Sequence, residues 1–457
     1  MTTIFGNTVT EPKVAFSFEK DQLTLYIAPE HVSLPDDSII GVAINTSKKY
    51  YFKLLGDTCK YISSIPIITN ISITTIYYVE DYLDGSMYEA IILSFPALDF
   101  FLADVLLKKN NPSISEENKC HIWTYNSTFR NRTLTLIFST RRDSVDSSNY
   151  KYTWRAQLKI CSTQPFEPDF AYEVVRYVQG FFSFIYNRSD IVVGNVILLG
   201  TKTNLRPKNP EFKTNNIEEH SCPIQSTLKF TESFSDNSHD FLNYFPNNHI
   251  GFALFETKFD RLIHMLFGDK ILFCPLMKAE RDIYNLGRIL YLNYHFEHYF
   301  KLIESLYPSA IVTVVYNKKK LANKNDKKKV SELRLALRLI YVFDPNLMTE
   351  RNYKDARVIR LGVFKWDGVG GILNDYYPAD CIYDIVEHYT RWRNAEAHVN
   401  NLPLDDSHAF IESVRFVESM NYCVVLKIAG YTDEEIHLII DRLLFAQTHG
   451  TSPPTAQ

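Results

Sequence analysis

The spacing of apolar residues changes part-way along this 457-residue chain, and this change constrains the fold more than any other feature. In the first half, apolar residues alternate with polar ones, which is the pattern of half-buried strands in an antiparallel sheet. In the second half they recur every three or four residues, which is the pattern of amphipathic helices. The switch falls between Arg206 and Phe245, so we predict an α+β protein with two domains. Residues 1–235 would form a β-rich domain with an antiparallel sheet, and residues 236–457 an all-α helical bundle.

Local signals set the predicted elements of the first domain. Val14 to Phe18 and Leu23 to Ile27 alternate on either side of a polar turn, which indicates a hairpin. Pro168 opens a helix that interrupts the strands. Ile191 to Leu199 has the pattern of a buried strand, and the polar stretch from Arg206 to Cys222 is predicted to be a loop or a domain boundary.

The second domain carries signals for several helices. A long helix is predicted from about Leu276 to Leu306, and another around Leu333 to Ile340. A third ends in the sequence RWRNAEAHVNN, and a fourth begins near Asp405. The remaining boundary signals are Pro345 after the second helix, Gly430 after the fourth, and a capping box of Thr432 and Glu435 before a fifth.

Composition and charge bound the class of protein. Hydrophobic residues make up 46% of the chain and charged residues 22%, which is ordinary for a globular protein. The net charge of -4 provides no general attraction for nucleic acid, so such binding must come from a local patch or from dimer geometry. The seven cysteines form no C-x-x-C pair, which argues against a disulfide framework and a structural zinc site. We expect a cytoplasmic protein with no signal peptide and no membrane-spanning segment.

The end of the third helix brings together residue types that suit RNA chemistry. Arg393, Asn394 and His398 lie in the sequence RNAEAH. On a helix, Asn394 and His398 are four residues apart and share a face, while Arg393 lies about 7.5 Å from His398 along the axis. A phosphodiester could be held between the arginine and the histidine, especially where a second copy of the chain approaches. Arg391, in the same turn, is a further candidate for contact with RNA.

These side chains can cleave RNA without a metal ion. The 2′-hydroxyl must lose a proton as it attacks the adjacent phosphorus, and histidine exchanges protons near neutral pH. The planar guanidinium of arginine can hold two phosphate oxygens and offset the charge that grows in the transition state. Asn394 can orient the imidazole or the phosphate. The products would be a 2′,3′-cyclic phosphate and a 5′-hydroxyl, and no cofactor is expected.

The spacing of arginine and histidine is a weak signal by itself. Three other pairs have comparable spacings, but an apolar residue follows each of their arginines. Only Arg393 has a polar successor at the end of an amphipathic helix. On spacing alone, a solvated helix end is the simpler interpretation, because the helix dipole favours basic residues there. The three other pairs are Arg288 with His295, Arg442 with His449, and Arg391 with His398.

The sequence RNAEAH resembles the motif of the HEPN superfamily, in which a polar residue follows the arginine and a histidine lies a few residues further on. A β-rich first half joined to a C-terminal HEPN domain is similar to the ApeA-type abortive-infection proteins of bacteria. The resemblance implies that Arg393 and His398 are catalytic, that Asn394 supports them, and that the helical bundle is HEPN-like. It also implies a homodimer, with two motifs facing each other across a two-fold axis. The implied role is phage defence through damage to host or phage RNA, such as tRNA.

Other residue clusters have simpler structural interpretations. His295 and His298 could form a metal pair on one helix face, but no third ligand is evident and two amphipathic histidines are favoured. The glycine-rich stretch 367–371 is predicted to be a turn and not a phosphate-binding loop. The basic block 317–329 could gather RNA phosphates or form a solvated loop. Its candidates for RNA binding are Lys318, Lys319 and Lys320.

The sequence leaves three functions open. The first is a metal-independent endoribonuclease with regulated activity, which Arg393 and Asn394 favour. The second is a non-catalytic RNA- or protein-binding module whose helical domain only dimerises. The third is a toxin that a partner protein silences. In the first case, the β-rich domain would be a sensor or regulatory domain that responds to a phage-derived trigger, because a toxic ribonuclease needs restraint.

Overall fold

The structure is a computed structural model of the chain. It describes residues 3–9, 13–19, 21–27, 37–55, 60–65, 68–82, 88–103, 121–146, 151–187, 191, 193, 196–207, 217–230, 251–268, 286–306, 311–316, 335–348, 351–353, 356–361, 366–397 and 407–445. The chain divides into two compact units, of which the first is Met1–Phe184 with Asp190–Asn247 and the second Ile185–Ser189 with Asn248–Gln457. The predicted boundary between residues 235 and 236 lies outside the described residues and stays a prediction.

Strands dominate the first half, as predicted. The strands are β1 Ile4–Thr8, β2 Ala15–Glu19, β3 Gln22–Ile27, β4 Ser38–Ala43, β5 Lys49–Leu54, β6 Lys60–Ile65, β7 Ile68–Glu80, β8 Tyr88–Leu93, β9 His121–Phe129, β10 Arg132–Asp146, β11 Lys151–Phe166, β12 Val196–Pro207 and β13 Ile217–Phe230. Two helices interrupt them, α1 Pro96–Phe101 and α2 Pro168–Tyr186. The sheet runs in the order β3-β2-β1-β4-β5-β7-β13-β12-β8-β11-β10-β9, with β6 beside β7, and its described pairings are antiparallel.

Six of these strands form a closed ring of pairings. β3 pairs with β7 as well as with β2, so the ring runs through β3, β2, β1, β4, β5 and β7. Buried and partly exposed residues alternate along β3, β4 and β5. The alternation that predicts strands from the sequence therefore separates the interior of the ring from its exterior. The buried core of this region consists of Phe16, Phe18, Leu23, Leu25, Ile27, Ile39, Ala43, Tyr50, Phe52, Leu54 and Ile73.

The prediction of a loop or a domain boundary from Arg206 to Cys222 was wrong at the two ends of this stretch, and residues 208–216 between them lie outside the described residues. These ends belong to β12 and β13, which pair from Val196 opposite Leu228 as far as Pro207 opposite Ile217. Backbone hydrogen bonds between two strands stabilise such an extension without an apolar alternation, so the usual strand pattern is missing here. The strand predicted to start at Ile191 begins at Val196 instead.

Two glycines make room for the phenyl ring of Phe16 inside the ring of strands. Gly6 lies on β1 and Gly41 on β4. A Cβ atom on Gly41 would collide with this phenyl ring, and one on Gly6 would collide with it and with the carbonyl oxygen of Val42. Phe16 is buried and packs edge-on against Phe52 at a centroid distance of 5.5 Å, so a displaced phenyl ring would disturb the core on its other side.

Replacing Gly41 with alanine should therefore destabilise the first unit. We expect a loss of about 1–3 kcal/mol in the free energy of unfolding, as for other overpacked cores. The measurement is urea denaturation followed by far-UV circular dichroism. Gly371→Ala is the matched control, because a Cβ atom there meets no atom within 4 Å and alanine is the better helix former. Equal unfolding curves for the two variants would contradict the expected collision with Phe16.

The second unit is rich in helices. α4, α7 and α8 pack against one another, and α8 is buried along most of its length. The helices of this unit are α3 Phe259–Gly268, α4 Leu286–Leu306, α5 at 335–343, α6 Gly370–Leu373, α7 Ile382–Ala397, α8 Ser407–Ala429 and α9 Asp433–Ile440. Short 3-10 turns at Phe252–Leu254, Glu256–Lys258 and Pro345–Met348 and a π-helical turn at Asp441–Phe445 complete the described helical segments.

This unit is not all-α, which corrects the prediction for residues 236–457. Three strands, β14 Ile311–Tyr316, β15 Arg351–Tyr353 and β16 Ala356–Leu361, form a small antiparallel sheet in the order β14-β16-β15. The sequence of β14 is IVTVVY, in which β-branched residues and a tyrosine favour a strand. This local signal was available in the sequence, but the helical spacing on either side of it dominated the prediction.

The ends of several helices follow the predicted signals. The predicted capping box is present, with Thr432 and Glu435 each bonded to the backbone of the other. Gly430 has a φ of +92°, the left-handed conformation that commonly ends a helix, and it follows α8 directly. α5 ends before Pro345, as expected. The predicted start of α4 near Leu276 lies outside the described residues, within which this helix begins at Leu286.

Candidate functional site

The last two turns of α7 carry the arginines and the asparagine of the predicted site. Val386 and Tyr389 are fully buried and mark the side of α7 that faces the core. Arg393 follows Tyr389 by four residues and so lies on the same side, one turn further along. Arg393 and Asn394 are half-buried, whereas Arg391 is exposed. The helix therefore gives its two neighbouring arginines different environments, one partly shielded from water and one solvated.

The guanidinium of Arg393 is held by its neighbour and partly sealed from solvent. Its Nη1 donates a hydrogen bond to Oδ1 of Asn394 at 3.1 Å. Its Nε is buried and has no hydrogen-bond partner among the residues that the structure describes. A buried N–H donor without an acceptor costs about 1–3 kcal/mol, a cost that an incoming acceptor could relieve. Arg393 thus combines a fixed orientation with unused capacity to donate hydrogen bonds.

Two buried aromatic residues fix this turn of α7 to its neighbours. The hydroxyl of Tyr389 donates to the carbonyl oxygen of Ile289 on α4 at 3.1 Å. The indole of Trp392 packs edge-on against Phe410 of α8, with 5.2 Å between the ring centroids. Tyr389 and Trp392 precede Arg393 by four residues and by one, so the part of α7 that leads to Arg393 is anchored to both α4 and α8.

The hydroxyl of Tyr389 also responds to the charge of Arg393. Burial raises the pKa of Tyr389 well above its ordinary value, and the positive charge of Arg393 opposes this rise. At neutral pH the hydroxyl is therefore protonated, as its hydrogen bond to a carbonyl oxygen requires.

Several predicted site residues lie outside the described part of the chain. His398 follows Ala397, the last residue of α7, by one position. Its distance from Arg393, and its expected place on the face that carries Asn394, stay predictions. The same holds for RNA binding by the basic block, because Lys318, Lys319 and Lys320 fall between the described segments.

The two histidines of α4 lie in an aromatic environment. His295 is buried and its ring centroid lies 5.9 Å from that of Tyr299, while that of His298 lies 6.2 Å from the same tyrosine. Burial, together with the charge of the nearby His298, lowers the pKa of His295 to about 4, so His295 is neutral at pH 7. Across the described segments, no three histidine, cysteine, aspartate or glutamate residues cluster as metal ligands would. Contacts with aromatic rings surround both histidines, while Nε2 of His298 is buried without a hydrogen-bond partner among the described residues.

The glycine-rich stretch 367–371 is a turn that binds a lysine of the protein itself. Gly368 has a φ of +88°, and the short helix α6 follows. The ammonium of Lys427 donates to the carbonyl oxygen of Gly368 at 2.9 Å and contacts the carboxylates of Asp367 and Asp433 at 2.9 and 3.1 Å. A phosphate-binding loop directs N–H donors at its ligand, whereas this turn offers acceptors to a cation. Its role is to connect α8 with the start of α6.

Two features of the site were missed from the sequence: the hydroxyl of Tyr389 and the carbonyl of Ile289 that accepts from it. Apolar spacing places Tyr389 on the buried stripe of α7 but gives no information about its partner. The available signal was a tyrosine four residues before the motif arginine, on the same helix face. The acceptor itself is a backbone atom, so no residue type in the sequence marks it.

Comparison with known proteins finds no matching family model, no matching curated protein and no matching solved structure. Among the described helices, none has both the length and the apolar character needed to cross a membrane. The argument for a function therefore depends on the residues of the site itself.

Proposed function

We propose that the chain is a metal-independent endoribonuclease with a HEPN-like helical domain, in which Arg393 and His398 act on the scissile phosphate and Asn394 supports them. The observation that carries this proposal is the state of Arg393. Its guanidinium is half-buried and bonded to Asn394, and its Nε donor has no partner in the described part of the chain. The simpler interpretation of the motif, a solvated helix end, would leave the guanidinium in water.

A partly buried guanidinium suits a reaction in which negative charge develops. The oxygens on phosphorus gain charge as the 2′-hydroxyl attacks, and donors held out of water interact with that charge more strongly than solvated ones. An arginine has five N–H donors in a rigid fork, which matches two phosphate oxygens. The bond to Asn394 occupies one of them in the structure. A phosphate at this position would give the buried Nε of Arg393 the acceptor that it lacks.

His398 is proposed to supply the proton transfer. Its imidazole takes the proton of the 2′-hydroxyl as the 2′ oxygen bonds to phosphorus, and the bond from phosphorus to the 5′ oxygen breaks. An imidazolium protonates the departing 5′ oxygen. The products are a 2′,3′-cyclic phosphate and a 5′-hydroxyl, and no water or cofactor is consumed. In a homodimer the histidine of a site could come from the second chain, and the same imidazole serves first as base and, once protonated, as acid.

The surroundings of the site are proposed to gather RNA. Arg391 is exposed two residues before Arg393 and can contact phosphate without entering the reaction. Lys318, Lys319 and Lys320 would add to this positive charge, which the net charge of -4 does not otherwise provide. In this proposal the β-rich unit senses a phage-derived trigger in a bacterial cytoplasm. The target would be tRNA or another host or phage RNA.

In a direct test of this proposal, we expect the protein to cleave RNA even when metal ions are chelated. The purified protein is incubated with total RNA in EDTA, and the ends of the products are determined. We expect 5′-hydroxyl and 2′,3′-cyclic phosphate ends, because a histidine and an arginine together supply proton transfer and charge stabilisation. A His398→Ala preparation made in parallel separates this activity from a contaminating ribonuclease.

Loss of cleavage in EDTA with recovery in magnesium or manganese would overturn the metal-independent mechanism. RNA binding and dimerisation without cleavage would instead favour the non-catalytic binding module. Both outcomes can be read from the same preparation.

A further inference from the structure

We infer that Tyr389 is a positioning residue for Arg393, and that its bond to the first turn of α4 sets the orientation in which the guanidinium meets RNA. The kinetic part of this inference rests on the proposed function. Its structural part, that Tyr389 fixes the Arg393 side chain, stands on the geometry of α4 and α7 alone.

The bond between Tyr389 and Ile289 connects two helices at one defined point. The ring of Tyr389 is fully buried, and its hydroxyl reaches the backbone carbonyl of Ile289 at 3.1 Å. Ile289 is itself fully buried, so water cannot replace this donor. The carbonyl of Ile289 keeps its helical hydrogen bond within α4, whereas a rotation of α7 would leave the buried hydroxyl of Tyr389 without an acceptor. An unpaired buried donor is costly, so the bond favours one rotation of α7 about its own axis. The orientation of α7 is therefore fixed one turn before Arg393.

Helix geometry brings the side chain of Arg393 back over this bond. Residues four apart lie about 6 Å apart along the axis and on the same face. Side chains on a helix lean towards its N-terminus, so Arg393 covers the turn that contains Tyr389. The burial of Nε of Arg393 agrees with this course. The direction in which the charge of Arg393 shifts the pKa of Tyr389, downwards, is consistent with it.

The hydrogen bond of Arg393 to Asn394 lies within α7 and moves with that helix. It fixes the guanidinium relative to α7 but not relative to α4. A small rotation of α7 would carry both residues together and redirect the donors of Arg393. A displacement of about 1 Å can cost a reaction about 100-fold when it moves a group that acts on the reacting atoms. The hydrogen bond from Tyr389 to α4 opposes this rotation.

The same helix offers a matched control. The hydroxyl of Tyr383 donates to the backbone carbonyl of Leu347, also at 3.1 Å, from a position ten residues before Arg393. Tyr383→Phe and Tyr389→Phe thus remove the same atom and the same type of hydrogen bond from α7. The two tyrosines differ in their distance from Arg393. If removing such a bond merely destabilised α7, both variants should show the effect.

The experiment compares these two variants with the unchanged protein by two measurements. For Tyr389→Phe we expect kcat for RNA cleavage to fall about tenfold with little change in KM, because the loss of one hydrogen bond displaces a group that acts in the transition state. In protein labelled with ¹⁵N-arginine, we expect hydrogen exchange at Nε of Arg393 to become at least about tenfold faster. Arg393→Lys identifies the signal by removing it. For Tyr383→Phe we expect no change in kcat or in this exchange rate.

Unchanged kcat and unchanged exchange in Tyr389→Phe would overturn the inference and leave the ribonuclease assignment intact. Equal effects of the two variants on kcat and exchange would also overturn it, because they would indicate a general structural role. If the unchanged protein cleaves no RNA, the proposed function fails, and the exchange rate at Arg393 alone decides whether Tyr389 positions it.

Discussion

Replacing His398 with alanine is expected to lower the rate of RNA cleavage by about 10²- to 10⁴-fold, the contribution of a positioned group that transfers protons. Arg393→Ala is expected to cost about 10²- to 10³-fold, the range for removing one donor that stabilises developing charge. The measurement is single-turnover cleavage of a labelled RNA with enzyme in excess, so that product release does not mask the chemical step. Arg391→Ala should differ, raising the protein concentration needed for half-saturation and leaving the saturated rate nearly unchanged.

Arg393→Lys separates the charge of the side chain from its shape. A lysine keeps the positive charge but has a single ammonium in place of the planar fork. It cannot bond to Asn394 and present two parallel donors to a phosphate at the same time. We therefore expect the cleavage rate of Arg393→Lys to be nearly as low as that of Arg393→Ala. Near-complete recovery with lysine would indicate that charge alone matters and that the bond to Asn394 has no part in the reaction.

The chain contains its own control for the motif. Arg442 and His449 have a comparable spacing, but an apolar residue follows the arginine. Alanine at either position should leave the cleavage rate unchanged within about twofold, because neither is expected to touch RNA at the site. If Arg442→Ala lowers the rate as strongly as Arg393→Ala, the motif is not the source of the activity.

Periodicity predicted the fold where burial alternates, and failed where it does not. In β3, every second residue faces the interior of the ring of strands, so the sequence QLTLYI carries the pattern itself. The extension of β12 and β13 beyond Thr201 is stabilised by pairing between backbones, which leaves no periodic trace in the side chains. The strand β14 was missed for a different reason. Its β-branched residues favour a strand, but the helical spacing on either side of it led to the prediction of an all-α domain.

The sequence predicted the helix that carries the candidate site, but it did not predict the residues that surround the site. The apolar stripe of α7 is enough to place Arg393 in the last two turns of a helix. It does not reveal that Nε of this arginine is buried or that Tyr389 bonds to a carbonyl of α4, because both depend on which helices pack together. Helix packing joins residues about 100 positions apart in the sequence, and one sequence alone does not encode such a pairing as a local signal.

The position of Arg393 on α7 bears on how many chains form one site. Arg393 lies on the core-facing side of the helix, in line with Tyr389. If the helix continued regularly through His398, five residues would rotate the histidine by about 140° around the axis from this arginine. The two side chains of one chain would then point in different directions. A second chain related by a two-fold axis could bring its own histidine to the arginine, because such an interface presents each residue twice.

Mixing two inactive variants is therefore expected to restore cleavage. An Arg393→Ala chain combined with a His398→Ala chain can form a mixed dimer in which one site has both unchanged residues. Random pairing of equal amounts gives about half mixed dimers, and one of the two sites in each is complete, so recovery should approach about a quarter of the unchanged activity at most. We expect the mixture to cleave at least about tenfold faster than either variant alone. The measurement is RNA cleavage after subunit exchange, with the mass of the assemblies determined in the same buffer.

The control for this mixing experiment replaces one partner by a chain that carries both substitutions. Arg393→Ala mixed with the double variant Arg393→Ala/His398→Ala forms the same dimers but contains no intact arginine, so it should stay inactive. A mixture that contains mixed dimers and cleaves no faster than its parents would mean that each site takes both residues from one chain. A protein that is a monomer at the working concentration and cleaves at the full rate would exclude the shared site altogether. Either result would leave the assignment as a ribonuclease standing, because that assignment depends on Arg393 and His398 and not on which chain supplies them.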